Sequence, residues 1–401
     1  MSTAHHFSSS RHGELAVHLR QQLVESLRQS GVLHSPALQH AFLSVPREAF
    51  VPRFYEQETT RHDMAWKLVA ASEMEEEEYL VAVYRNDTLV TTLDERGWPV
   101  SSSSLPAVMA QMLEALDVQP GQRILEIGTG SGYNAALLAQ LVGSAGRVIS
   151  IERDAALVTQ AAHALAQAAG SVVTVIVGDG VAGWLPAAPY DRIIATASAP
   201  TVPMAWVEQL RPGGKLVMDV QGTLASGFLV VEKTPEGKTS GSFLAAPLHF
   251  MPLQTDALSV PHVQSTRLLR QPCLETFVLD NDAAFPGTLF EPAFRWFLQW
   301  SMPGCQIGTY TQEQHAPASV LHGMVVMDPL RNALLRLQKV PEETRWQGSV
   351  YGALPLWAEL QHLSHVFSQL GEPLPQQYHV VVEQDGPCLL IGSLKLPLAK
   401  I

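Results

Sequence analysis

Between about Gln122 and Val231 the sequence repeats one pattern: a short, nearly continuous apolar run rich in β-branched residues, then a segment long enough for a helix. The runs are RILEIG, RVISIE, VVTVIV, DRIIAT, KLVMDV and FLVVE. Strands that are apolar on both faces must be covered on both, and helices crossing between parallel strands do that. The spacers Tyr133 to Val142 and Asp154 to Ala168 are rich in alanine and leucine, and Asp154 is placed to cap the second. The alternation predicts a doubly wound, mostly parallel α/β sheet with right-handed crossovers.

The first run leads into LEIGTGSGYNAA, Leu125 to Ala136, where the strand is expected to end in Glu126 and to run through Gly128, Gly130 and Gly132 into a helix. Glycines there allow a sharp turn and let a ligand lie against bare peptide groups. In open α/β sheets the crevice at that strand end takes a nucleotide-like ligand. A dinucleotide fingerprint needs GxGxxG, but this spacing is GxGxG, with Tyr133 where the third glycine would stand. An NAD-dependent oxidoreductase is therefore disfavoured. A carboxylate at Glu126 repels phosphate and suits the ammonium and sulfonium of S-adenosylmethionine. Glu152, closing RVISIE, can accept both hydroxyls of a ribose, and Asp179, before Gly180 in VGDG, can accept from an adenine amine. Three acids at successive strand ends point to S-adenosylmethionine as cofactor and to a sheet of the class I methyltransferase type. Without a ligand, the same glycines would only make a tight turn and the acids would only cap helices. A serine-hydrolase elbow is excluded, because GxSxG needs a glycine at Thr129.

With 401 residues the chain is long enough for two or three domains, and 46% apolar residues suffice for a packed core. A formal charge of −12 has the wrong sign for a broad phosphate-binding surface, so nucleic acid is not an expected partner. Three scattered cysteines form neither a disulfide framework nor a zinc motif, and the histidines show no HExxH spacing. No signal peptide or membrane-length apolar run is present, so a cytoplasmic protein is expected, with no membrane partner. Leu15, Leu19, Leu23 and Leu27 mark an amphipathic helix over Gly13 to Ser30. The stretch Pro52 to Val83 lacks a period, and its glutamates Glu75 to Glu78 read as a solvated loop or helix face. After about Thr255 the α/β rhythm ends. A heptad-like helix with Leu356, Leu360, Leu363, Phe367 and Leu370 stands between the strand-like runs SVLHGMVVMD and YHVVVE. The expected division is an N-terminal helical region with an insertion (1–100), a cofactor-binding core (101–254) and a C-terminal α+β domain, a candidate for substrate recognition (255–401).

The segments VPREAFVP, YRNDTLV, the serine run before Pro106, LEIGTGSGY, GDGVAGW, PYDRIIATASAP, QLRPGGKLV and HFMPL together resemble the protein-L-isoaspartate O-methyltransferases, over about Val45 to Leu253. The resemblance implies methylation of an isoaspartyl or aspartyl carboxylate in a protein or peptide, and for the family this serves repair of isomerised aspartates. The family's Thr-Ile-Ser-Gln-Pro type loop corresponds to Ser102, Ser103, Ser104, Leu105 and Pro106. The resemblance assigns Ser104 to the acceptor carboxylate and its neighbours Ser102 and Ser103 to the cofactor, while Leu105 replaces the usual glutamine or alanine. Pro106 in a first helical turn would set these hydroxyls and free amides at a helix N-terminus, which attracts a carboxylate. The insertion and the extension of about 145 residues resemble a larger subgroup that methylates one aspartate of a ribosomally made peptide. A degenerate core serving as a non-catalytic scaffold is the remaining alternative, and the retained acids argue against it.

Overall fold

The computed structural model describes residues 11–59, 64–246, 248–254, 265–280, 287–310, 323–340 and 345–398. Helix α1 (Arg11–Gln29) buries Leu23 and Leu27, as the four-residue spacing predicts. Helix α2 (Pro36–Ser44) starts at Ser35, whose hydroxyl accepts from the Leu38 amide.

The insertion departs from the expected irregular segment. Strands β1 (Arg53–Thr59) and β2 (Met64–Ala70) form an antiparallel hairpin, followed by helix α3 (Glu76–Val83). With β3 (Leu89–Leu93) and β4 (Pro99–Ser103) they build a four-stranded sheet of order β2-β1-β3-β4. Polar residues dominate RFYEQET, so no alternating apolar signal marked the first strand. The glutamates are solvated as expected. Glu76, Glu77 and Glu78 occupy the first turn of α3, where the helix dipole favours carboxylates.

Every apolar run of the core is a strand: β5 (Arg123–Ile127), β6 (Arg147–Glu152), β7 (Val173–Val177), β8 (Tyr190–Ala199), β9 (Leu210–Gln221) and β10 (Ser226–Lys233), followed by β11 (Thr239–Phe243). Pairs β5–β6, β5–β8, β6–β7 and β8–β9 are parallel. Helices α4 (Pro106–Leu116), α5 (Tyr133–Val142), α6 (Ala155–Ala168) and α7 (Met204–Gln209) cover the sheet. Asp154 caps α6, accepting from the Ala156 and Leu157 amides at 2.7 and 3.2 Å. Such a cap is worth about 1 kcal/mol.

The C-terminal part holds a second antiparallel sheet of β12 (Cys273–Asp280), β13 (Gln306–Tyr310), β14 (Gly323–Asp328), β15 (Ala333–Lys339) and β16 (Arg345–Gly352). Helices α8 (Pro292–Ser301) and α9 (Leu356–Gln369) share its core, with Phe294 and Phe297 at 5.4 and 5.5 Å from Phe367. Strands β17 (His379–Glu383), β18 (Gly386–Ile391) and β19 (Leu394–Pro397) return to the core sheet, where β17 pairs with β11. The core sheet thus has ten strands in the order β19-β18-β17-β11-β10-β9-β8-β5-β6-β7. The antiparallel meander of β17, β18 and β19 thereby hides the open edge of β11.

Candidate active site

A cavity of about 880 Å³ opens at the carboxyl ends of β5, β6, β7 and β8, where a doubly wound sheet places its ligands. Its floor is the glycine loop. Gly128 has φ +93°, and a Cβ there would stand 2.9 Å from the Thr196 hydroxyl, whose oxygen lies 2.6 Å from the Gly128 carbonyl that it donates to. Gly130 has φ +52°, and a Cβ there would stand 3.2 Å from the Ser102 carbonyl. Both positions exclude side chains by conformation and by space. Contact between Gly130 and Ser102 also seats the serine loop directly on the glycine loop.

Of the residues singled out from the sequence, Ser102, Ser103, Ser104, Gly128, Gly130, Glu152 and Gly180 line the cavity. Glu152 accepts from the Gly130 amide with one oxygen and from the Arg153 and Asp154 amides with the other. Its carboxylate thereby ties the end of β6 to the glycine loop and retains lone pairs for a diol. The Ser104 hydroxyl has no hydrogen-bond partner among the described residues, and Leu105, not Ser104, occupies the N-cap of α4. The serine is therefore not merely a helix cap.

Three residues stand elsewhere. Gly132 (φ +85°) leaves room for Ala161 and Leu165 of α6 instead of facing the cavity. Asp179 is exposed outside the wall formed by Gly178 and Gly180, and accepts from the Val181 amide at 3.0 Å. Glu126 was expected to face the sulfonium donor, but it is 0% exposed and lies beneath the loop. Asn134 donates to one of its oxygens at 2.7 Å and Ser150 to the other, while Ser150 pairs with Thr129 at 2.6 Å. Burial pushes the Glu126 carboxyl up to about 7, against the opposing effect of those two hydrogen bonds. Its role is to brace the loop from below.

The start of α4 also offers fewer free amides than expected. Pro106 has no N–H, and Asn86 of the YRND segment takes that of Ala107 at 3.0 Å. What remains is the positive end of the helix dipole beside the Ser104 hydroxyl. Opposite, the HFMPL segment closes the cavity from His249 to Leu253, locked between sheet strands by Ser198, whose amide and carbonyl bond Met251 and Leu253. Asp219 of β9 holds the Phe250 amide at 3.0 Å, and burial pushes this carboxyl up to about 7. Sequence reasoning gave no role to Asn86, Asn134, Thr196 or Asp219, since each acts through hydrogen bonds to residues 8 to 69 positions away, which leave no sequence period.

The chain matches the family model described as protein-L-isoaspartate(D-aspartate) O-methyltransferase over residues 18–257. It is 38% identical over 220 residues to a protein-L-isoaspartate O-methyltransferase of Methanopyrus kandleri, covering 55% of this chain and 84% of the relative. To the corresponding protein of Ignicoccus hospitalis it is 37% identical over 235 residues, covering 58% and 96%. A solved structure of a protein with the same name aligns at a TM-score of 0.55 and 21% identity, covering 94% of this chain and 100% of that one. That likeness concerns the fold, and its reach extends well past the core into the C-terminal part. Among the described residues no helix is long and apolar enough to cross a membrane.

Proposed function

Because the chain belongs to the protein-L-isoaspartate(D-aspartate) O-methyltransferase family, we propose that it methylates the free carboxylate of an isoaspartyl, or aspartyl, residue in a protein or peptide. It is a methyltransferase that uses S-adenosylmethionine. The observation that carries the acceptor assignment is the unpartnered Ser104 hydroxyl in the cavity, on a loop resting against the glycine floor.

The residues fit the cofactor. The side-chain-free surface over Gly128 and Gly130 admits a flat ligand, and Glu152 on the rim has spare acceptors for a ribose. When bound, S-adenosylmethionine supplies an electrophilic methyl group on a sulfonium. The acceptor carboxylate, with a reference pKa near 4, is already ionised at neutral pH, so no general base is required. Ser104 donates a hydrogen bond to one oxygen of that carboxylate and leaves the other free to attack. Leu105, Val108 and Met109, which also line the cavity, keep water from the two opposite charges that cancel on transfer. Alignment of nucleophile and methyl group is the protein's main contribution, and positioning of this kind is worth about 7 to 11 kcal/mol.

The extension was one reason to consider a dedicated peptide substrate, but a similarly extended fold occurs in a protein named protein-L-isoaspartate O-methyltransferase, so the extension by itself does not favour that substrate. Repair is accordingly the favoured reading. It is tested with an isoaspartyl peptide and its aspartyl twin: methyl transfer to the isoaspartyl form alone is expected. Transfer to neither, with S-adenosylhomocysteine still bound, would refute repair in favour of one dedicated substrate.

A further inference from the structure

The VPRE segment carries part of the family resemblance, yet the reaction above gives its arginine no task. Arg47 lies in the short turn between α2 and β1 and is 0% exposed. Its Nε donates to the Ser103 hydroxyl at 3.3 Å. One terminal nitrogen donates to the Val83 and Arg85 carbonyls at 2.9 and 3.0 Å. The other donates to the carbonyls of Asp87, Ser103 and Ser104 at 3.0, 3.3 and 3.2 Å. Among the described residues it has no carboxylate partner. Every acceptor is a neutral oxygen, and these oxygens belong to two segments only: the end of α3 with its connection to β3, and the serine loop. A buried guanidinium is costly unless its donors are satisfied, and its planar fork fixes acceptors in direction as well as distance. Tyr133, the first residue of α5, places its ring 5.9 Å from the guanidinium carbon and closes the remaining side.

We propose that Arg47 is the positioning residue of the acceptor loop: by holding the Ser103 and Ser104 carbonyls it aims the Ser104 hydroxyl into the cavity and fixes it against the glycine floor. This inference rests on the reading of Ser104 as the residue that orients the acceptor. Arg47 touches neither substrate nor cofactor and acts only through the loop. Lysine in its place keeps the charge but cannot reach both segments with a rigid fork.

The test compares the full-length native chain, Arg47→Lys, Ser104→Ala and the double variant, by turnover on an isoaspartyl peptide and by calorimetry with S-adenosylhomocysteine. Arg47→Lys should bind S-adenosylhomocysteine within about threefold of native while kcat falls about tenfold or more. In the Ser104→Ala background the lysine should cost nothing further, because the hydroxyl it misdirects is already gone. Native kcat in Arg47→Lys, or the same fractional loss in both backgrounds, would overturn the proposal. Should Arg47→Lys bind no S-adenosylhomocysteine, Ser103→Ala replaces it, since it removes one acceptor and spares the carbonyl bonds. Its expected loss is about fivefold with Ser104 present and none once Ser104→Ala has been introduced, and equal losses would overturn the proposal. Native kcat in Ser104→Ala would instead remove the reading of Ser104, and this inference with it.

Discussion

Replacing Glu126 with glutamine should stabilise the protein at pH 8 and leave it nearly unchanged at pH 5. The carboxyl is 0% exposed, and burial raises it from an ordinary 4.5 to about 7. An acid with a raised folded pKa keeps its proton in the native state after the unfolded chain has released it. Native stability therefore falls as pH climbs from about 4.5, and the loss is complete above about 7. That gap corresponds to roughly 3 kcal/mol, most of which develops between pH 5 and pH 8. Glutamine is neutral throughout and keeps the local bonds. Its carbonyl can accept from Asn134 and its amide can donate to Ser150, whose hydroxyl then turns to Thr129. For a chain of this length the unfolding entropy is roughly 0.8 kcal/mol/K, so the Tm of the variant relative to native should increase by about 3 °C from pH 5 to pH 8. Differential scanning calorimetry of the cofactor-free protein reads this difference directly. Asp219, also pushed up to about 7, is common to both proteins and cancels. A Tm difference that stays constant across that range would refute the desolvated position of Glu126 beneath the loop.

Ser104→Ala should lower turnover about 10- to 100-fold, the worth of one hydrogen bond to a charged group, with S-adenosylhomocysteine affinity nearly unchanged in calorimetry. Glu152→Ala should do the reverse, weakening that affinity by a similar factor, and equal loss of binding in both variants would show Ser104 to be misassigned. Gly128→Ala forces a side chain into φ +93° and toward the Thr196 hydroxyl. It should destabilise by about 1 to 3 kcal/mol in thermal melts and abolish tight cofactor binding, whereas native behaviour in both would contradict the geometry of the floor.

The core of the fold was legible because its physics is local. Six apolar runs gave six strands, and the span Pro106 to Leu116 is the helix expected after the serine loop. The hairpin of β1 and β2 was not legible, since a polar strand such as RFYEQET has nothing periodic to display. The place of β17 was not legible either. YHVVVE announced a strand, but its partner lies in β11, about 140 residues earlier, and a pairing of that range has no signature in either segment. At the site, the glycine spacing and Glu152 were proposed from chemistry and Ser104 from resemblance, and all of them line the cavity except Gly132. Glu126 was misplaced because an acid near a strand end is compatible with facing the ligand or with lying under the loop, and only packing decides. Arg47 escaped notice because a charged residue is expected at the surface, and nothing in its neighbours signals full burial.

The return of β17 to β11 bears on the order of synthesis. A ribosome delivers β11 well before the stretch that will cover it, and the whole second sheet must emerge in between. Until residues 379–383 arrive, a nascent chain whose catalytic half is already assembled presents a bare row of amides and carbonyls to its surroundings. Translation that stalls in that interval would leave a polypeptide with every reactive group in place and an adhesive flank, a natural client for chaperones.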